Sequence, residues 1–177
     1  HHRAVAFAAR LFEAPVSGGF EVAVCGVPHP KSASLYQASR AVSYLALSPR
    51  PVLAPRATLI LACTLEEGAG QGPGESRFLA AMRGAAGRPQ ALLAELRRRP
   101  LLPGEQRAFV MALVLSRHRV VVVSGRPDVA RQAGLEAAAS IEEALEREAL
   151  RLGRPPRVLV LPDAICVLPR PGAAGLA

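Results

Sequence analysis

The chain has 177 residues, half of them hydrophobic and a fifth charged, enough for one domain with its own core and too apolar for a disordered chain. The formal charge of +8 rests on Arg, with Lys31 the one Lys; the Arg residues are scattered apart from Arg97, Arg98 and Arg99, and Trp is absent. A nucleic-acid surface wants a clustered basic face and stacking rings, so none is expected. No apolar stretch nears the roughly 20 residues of a membrane span, and HHRAVAFAARLF lacks a signal-peptide pattern, so a cytoplasmic protein without a membrane anchor is expected.

Residues 1–14 read as a leading helix over 3–13, with Val5, Ala8, Ala9 and Phe12 on one face and Pro15 and Gly18-Gly19 as the stop. Residues 20–27 (FEVAVCGV) form the first strand, closed by Pro28 and Pro30. A helix follows over 32–47, where Leu35, Ala38, Val42 and Leu45 make an apolar stripe and Ser32 or Ser34 supplies the cap. Residues 57–63 (ATLILAC) read as a strand covered on both faces, and a glycine-rich loop over 66–74 leads into a helix over 75–82.

Further helices are expected over 89–98 and from Pro103 to near His118, then a strand over 120–123. Pro127 opens a short helix that Gly134 closes, and Ser140 with Glu143 makes a capping box for a helix ending at Arg151. Residues 157–161 form the fourth strand, residues 166–168 a short last one, and residues 172–177 a loose tail. No repeat is visible. Strands alternating with helices predict a single α/β domain: a three-layer sandwich with a mainly parallel, Rossmann-like sheet flanked by helices. The segments 22–25, 59–62, 120–123 and 158–161 are expected as adjacent parallel strands. Ligands then belong at their carboxyl ends, on the loops 26–34, 65–74 and 125–128.

Three groups of residues could carry chemistry there. Gly68, Gly70, Gly72 and Gly74 could cradle an anion with backbone N–H groups, although Pro73 removes one donor and neither a P-loop nor a clean G-x-G-x-x-G is present. A plain flexible connection explains the glycines equally well. Glu66 and Glu67 adjoin them, as acid–base groups or as solvated carboxylates. Tyr36, Arg40 and Tyr44 recur at i, i+4 and i+8, with Gln37 three before Arg40. That face suits a ligand with a carboxylate and a hydroxyl, or is an ordinary solvated flank. Cys25, Cys63 and Cys166 are far apart inside apolar segments and read as buried free thiols of a reducing compartment. His29 and His118 have no neighbouring ligand, so this chain alone should hold no metal.

The segment PHPKSASLYQASR over residues 28–40 resembles the pattern G-x-P-x-D-x-N-L-Y-Q-A-x-K of the nickel-dependent lactate racemase family. HHRAVAFAARLF looks like the helix leading into that family's C-terminal domain, and ATLILACTLEEGAG, LSRHRVVVVSGRPDVARQAGL, SIEEALEREALRLG and RVLVLPDAICVLP are similar to its later stretches, in its order. The L-Y-Q-A string is the specific part, and the match covers only the family's second half. The resemblance implies an enzyme that inverts C2 of a 2-hydroxy acid with a nickel-pincer nucleotide, which takes a hydride and returns it to either face. The family's N-terminal domain supplies the cofactor tether, the nickel ligand and the catalytic histidines, and nothing here matches those motifs.

By that resemblance Tyr36, Gln37 and Arg40 face the site, and Glu66, Glu67, Gly68 and Gly70 are the candidates for touching the cofactor. Arg40 stands for the family's Lys, Ser32 for Asp, Ser34 for Asn and Gln71 for a frequent His, and no Trp lies near Gln106 and Arg107. A hydroxy acid other than lactate fits those departures. The expected partners are the cofactor-binding N-terminal domain and a small 2-hydroxy acid. The rival readings are a noncatalytic Rossmann-like module whose glycine loop holds a nucleotide phosphate or other anion, and an interaction domain with no small-molecule site.

Overall fold

The computed structural model describes residues 1–85 and 87–172. At the amino end, α1 (His2–Phe12) runs straight into a short strand, β1 (Glu13–Val16). β2 (Phe20–Gly26), α2 (Leu35–Ala46), β3 (Leu53–Ala62), α3 (Pro73–Ala85), α4 (Pro89–Leu96) and α5 (Glu105–Leu115) follow. The chain continues through β4 (Arg119–Val123), α6 (Pro127–Gln132), β5 (Glu136–Ala138), α7 (Ile141–Leu152), β6 (Val158–Leu161) and β7 (Leu168–Pro171). The main sheet has the order β5-β4-β3-β2-β6 with every neighbouring pair parallel, so the four expected strands are indeed contiguous in one sheet.

Side chains alternate across that sheet. Ala23, Cys25, Leu59, Leu61, Val120, Val122, Leu159 and Leu161 share one core with Leu35, Ala38, Val42 and Leu45 of α2 and with Ala108, Met111 and Ala112 of α5. The predicted stripe on α2 is therefore the packing face. Val22, Val24, Ile60, Val121 and Ala138 point the other way, where α7 covers them with Ala144, Ile141 and Leu145. Cover is lopsided: Val160 on the edge strand β6 stays 61% exposed.

The leading helix forms as expected, but no residue of α1 is buried, and Val5, Phe7, Leu11 and Phe12 all face solvent, because the helix joins β1 rather than the sheet core. Three other points differ from the sequence reading. β1 and β7 pair in parallel as a separate two-stranded ribbon, although each contains proline. The short last strand thus begins at Leu168, two residues later than read. β5 was missed between α6 and α7. Finally, Cys25 is buried and Cys63 partly so, but Cys166 is exposed on the turn that Asp163 organises. The tail over 172–177 lies outside the described residues beyond Gly172.

Candidate functional site

Two of the three loops expected at the carboxyl edge are stitched together by their backbones. Leu65 N–H donates to the Ser32 carbonyl (3.0 Å) and Glu67 N–H to the Ala33 carbonyl (2.8 Å). In return, Leu35 and Tyr36 N–H donate to the Gly68 and Ala69 carbonyls (2.9 and 3.2 Å). The first N–H groups of a helix have no partner inside it; here the glycine loop supplies carbonyls for two of them. Ser34, not Ser32, is the cap, its hydroxyl accepting from Gln37 N–H (3.4 Å). Ser32 instead accepts from the Thr64 hydroxyl (3.2 Å), a further tie between the loops.

The glycines of the loop make room for the chain itself. A Cβ on Gly70 would lie 2.3 Å from Cγ of Glu75, and one on Gly72 would lie 2.5 Å from its carboxylate. The N–H groups of Gly68 and Gly70 donate to the Leu65 and Glu67 carbonyls within the loop's own turns. Gly74 is pressed against Gly104, where a Cβ would sit 2.0 Å from the Gly74 oxygen. The crevice where β6 meets β2 is also filled from within. A Cβ on Gly26 would meet the Pro162 carbonyl at 2.5 Å, and Ala164 N–H donates to the Gly26 carbonyl (3.0 Å).

Polar groups converge instead on the outer flank shared by α2 and α5. The Tyr36 ring packs edge-on against Phe78 with centroids 5.6 Å apart, and its hydroxyl accepts from Gln106 Nε2 (3.1 Å). Gln106 is itself fixed, its Oε1 accepting from Gly104 N–H (2.7 Å). That donor decides the orientation of the amide, which in turn leaves the Tyr36 hydroxyl proton free to be given away. Two turns along α2 from Tyr36, Arg107 reaches across from α5 to donate to the Ser43 hydroxyl (2.9 Å). Arg107 is half-buried; burial first, and then the charge of Arg40, pull its pKa below the usual guanidinium value. Neither Arg40 nor Arg107 has a carboxylate partner among the described residues.

Tyr36, Arg40 and Tyr44 therefore form one flank with Gln106 and Arg107. Gln37 is half-buried in the same first turn, with its side chain making no hydrogen bond among the described residues. Glu66 and Glu67 are exposed on the loop tied to that turn, their carboxylates in no ion pair among the described residues. Gln106 and Arg107 escaped the sequence reading as site residues. Nothing in the periodicity of α5 marks them, since their role depends on the packing register of α5 on α2. A concavity of about 1280 Å³ opens elsewhere, lined by Leu53, Arg56, Ser116, His118 and Arg151. It lies at the amino ends of β3 and β4, away from all the predicted site residues.

No family model and no curated protein matches this sequence. Among solved structures, the apoprotein of lactate racemase from Thermoanaerobacterium thermosaccharolyticum is similar over 96% of this chain, with a TM-score of 0.82 and 18% identity. A protein from Thermotoga maritima is similar over 96% of the chain at a TM-score of 0.63 and 12% identity. This chain spans 40% and 41% of those two chains. Likeness at these identities establishes the shared fold: a mainly parallel sheet flanked by helices.

Proposed function

We propose that this domain is the substrate-holding half of a two-domain enzyme that inverts C2 of a small 2-hydroxy acid. The observation that carries the proposal is a hydroxyl with its proton free, Tyr36, placed on one helix flank with two guanidiniums that have no acidic partner among the described residues. The L-Y-Q-A resemblance and the shared fold with a solved lactate racemase support it. A guanidinium takes a carboxylate through two parallel N–H bonds; Arg40 holds C1 in this way. Tyr36 donates to the C2 hydroxyl oxygen, held in place by Gln106 and Phe78, and Gln37 borders the ligand from the same turn. Together these groups orient C2 and resist its rotation, which lowers the entropic cost of reaching the reactive geometry.

The nickel-pincer nucleotide implied by the sequence resemblance does not fit a ligand set in this chain. Among the described residues, no three His, Cys, Asp or Glu side chains come together. A cofactor would have to be held by a partner domain, with Glu66, Glu67, Gly68 and Gly70 as the bordering residues of this one. The rival nucleotide-binding module has less support, because Glu75 occupies the glycine loop and residues 162–164 fill the crevice beside Gly26.

The test uses the full-length enzyme in deuterated water with a panel of single-enantiomer 2-hydroxy acids, read by chiral chromatography and mass. Interconversion of at least one acid is expected, and the presence or absence of solvent deuterium at C2 separates a proton-transfer route from a hydride route. Arg40→Ala should cut kcat/KM about ten- to a hundredfold, equal to about 1.5–3 kcal/mol for a charge-assisted bond. Arg40→Lys should lose less or shift the preferred acid. No inversion of any acid would overturn the proposal.

A further inference from the structure

Arg40 and Arg107 stand together with no carboxylate partner among the described residues, and that arrangement is costly. One monocarboxylate offers one edge, which a single guanidinium fork satisfies. The second guanidinium would then stay half-buried beside a like charge, with the Ser43 hydroxyl as its one side-chain partner among the described residues. Elsewhere in this chain the arginines of structural clusters are matched by acids: Arg99 by Glu105, Arg119 by Glu136 and Glu148, Arg154 by Glu21. Among the half-buried arginines, Arg119 is matched by Glu136 and Glu148 and Arg170 by Glu13, so Arg40 and Arg107 are the two with no acid among the described residues. Residues 40 and 43 lie on one helix face three positions apart, so the two forks can reach opposite ends of one short molecule.

We infer that the ligand of this flank carries two anionic groups on a short skeleton, one for Arg40 and one for Arg107. The inference rests on the substrate-holding reading above and narrows its substrate class to 2-hydroxy acids with a second acidic group. The second group is a carboxylate or a phosphate ester; both present oxygens that a fork can take. Tyr36 and Tyr44 flank the pair and leave it open on one side, with Tyr44 48% exposed.

The experiment is a titration of the 177-residue chain, following the arginine Nε–H resonances, with succinate, 3-phosphopropionate and butyrate at one ionic strength. At least tenfold tighter binding of a dianion than of butyrate is expected, with Arg40 and Arg107 resonances moving together. Arg107→Ala should bring the dianion down to the butyrate level, while Arg98→Ala, on the exposed basic run, should leave the ratio unchanged. Preference for succinate over 3-phosphopropionate assigns a dicarboxylate, and the reverse assigns a phosphorylated acid. Equal binding of butyrate and the dianions overturns the inference, as does the absence of saturable shifts at both arginines up to about 50 mM ligand. Because the readout is binding, a dianion preference in a protein that inverts nothing would sink the catalytic reading and leave this inference standing. Inversion of monocarboxylates alone, with equal binding, would do the opposite.

Discussion

Replacing Gly104 by Ala tests whether the start of α5 is fixed by backbone contact. Gly104 has φ +101°, a region that costs a residue with a side chain about 1–3 kcal/mol. Its new Cβ would also fall 2.0 Å from the Gly74 carbonyl oxygen, with the Gly74 carbon and Cα at 2.6 Å. Backbone cannot swing aside as a side chain does, so α3 and α5 must part, at about 1–3 kcal/mol for overpacking. The sum, about 2–6 kcal/mol, is a large share of the roughly 5–15 kcal/mol that holds a domain of this kind. In urea denaturation followed by circular dichroism, with a slope of about 1–3 kcal/mol per molar, the midpoint should fall by at least about 0.7 M. Gly84→Ala is the matched control: it lies near the end of α3 with nothing within 4 Å, and should be neutral or stabilise by up to about 1 kcal/mol. A Gly104→Ala cost below about 1 kcal/mol would refute the reasoning. It would also remove the argument that Gly104 N–H holds Gln106, and through it Tyr36.

Glu148→Ala should destabilise by about 2 kcal/mol in the same assay: Glu148 is buried between Arg119 and Arg151, but both arginines reach solvent and Arg119 keeps Glu136. Acid should weaken the fold. Hydrogen bonds from Arg154 hold Glu21 at about 2, and those from Arg99 hold Glu105 at about 2, against 4.5 for a free glutamate. A lowered folded-state value gives stabilisation that is complete above the unfolded value and lost as pH falls through the folded one. The urea midpoint should thus drop most steeply between about pH 5 and pH 2, and Glu21→Gln should flatten that drop. Toward a thiol-reactive probe, exposed Cys166 should react first. Cys25, pushed up to about 12 by burial, should react only on unfolding, and peptide mass analysis would show the order.

What the sequence made legible follows from periodicity. The Val-rich runs and the Leu35/Ala38/Val42/Leu45 stripe point at a core, and the core is where they lie. β5 was invisible because Glu136-Ala137-Ala138 has no β-branched residue; it is a strand through pairing to β4 and the Arg119–Glu136 ion pair. β1 and β7 were hidden by Pro15, Pro169 and Pro171, which read as breakers. The capping box was half right: Ser140 accepts from Glu143 N–H, but the Glu143 carboxylate accepts from Ala139 N–H, one residue earlier. At the candidate site, the flank of Tyr36 and Arg40 was readable from one helix. Gln106 and Arg107 were not, because contact between helices 70 residues apart leaves no trace in local spacing. The glycine loop read equally well as an anion cradle or a plain connection, because spacing alone does not show that the Glu75 side chain lies against Gly70 and Gly72.

The ribbon of β1 and β7 has a consequence for the order in which the molecule assembles. Joining Glu13 to Leu168 closes a loop of about 150 residues, an entropic cost of about 4 kcal/mol by polymer scaling. Three prolines remove N–H donors, leaving a four-residue pair whose few bonds contribute about 1 kcal/mol each. Glu13 adds ion pairs to Arg50, which is largely in solvent, and to Arg170, which is part-exposed. Formed alone, such a clasp gains little. Once β2 and β6 lie side by side, however, the ends are already neighbours and closure is nearly free. The ribbon is thus the last piece to zip and the first to open, so the Gly172 amide, bonded to the Val16 carbonyl, should exchange with solvent long before Val24 at the centre of the sheet.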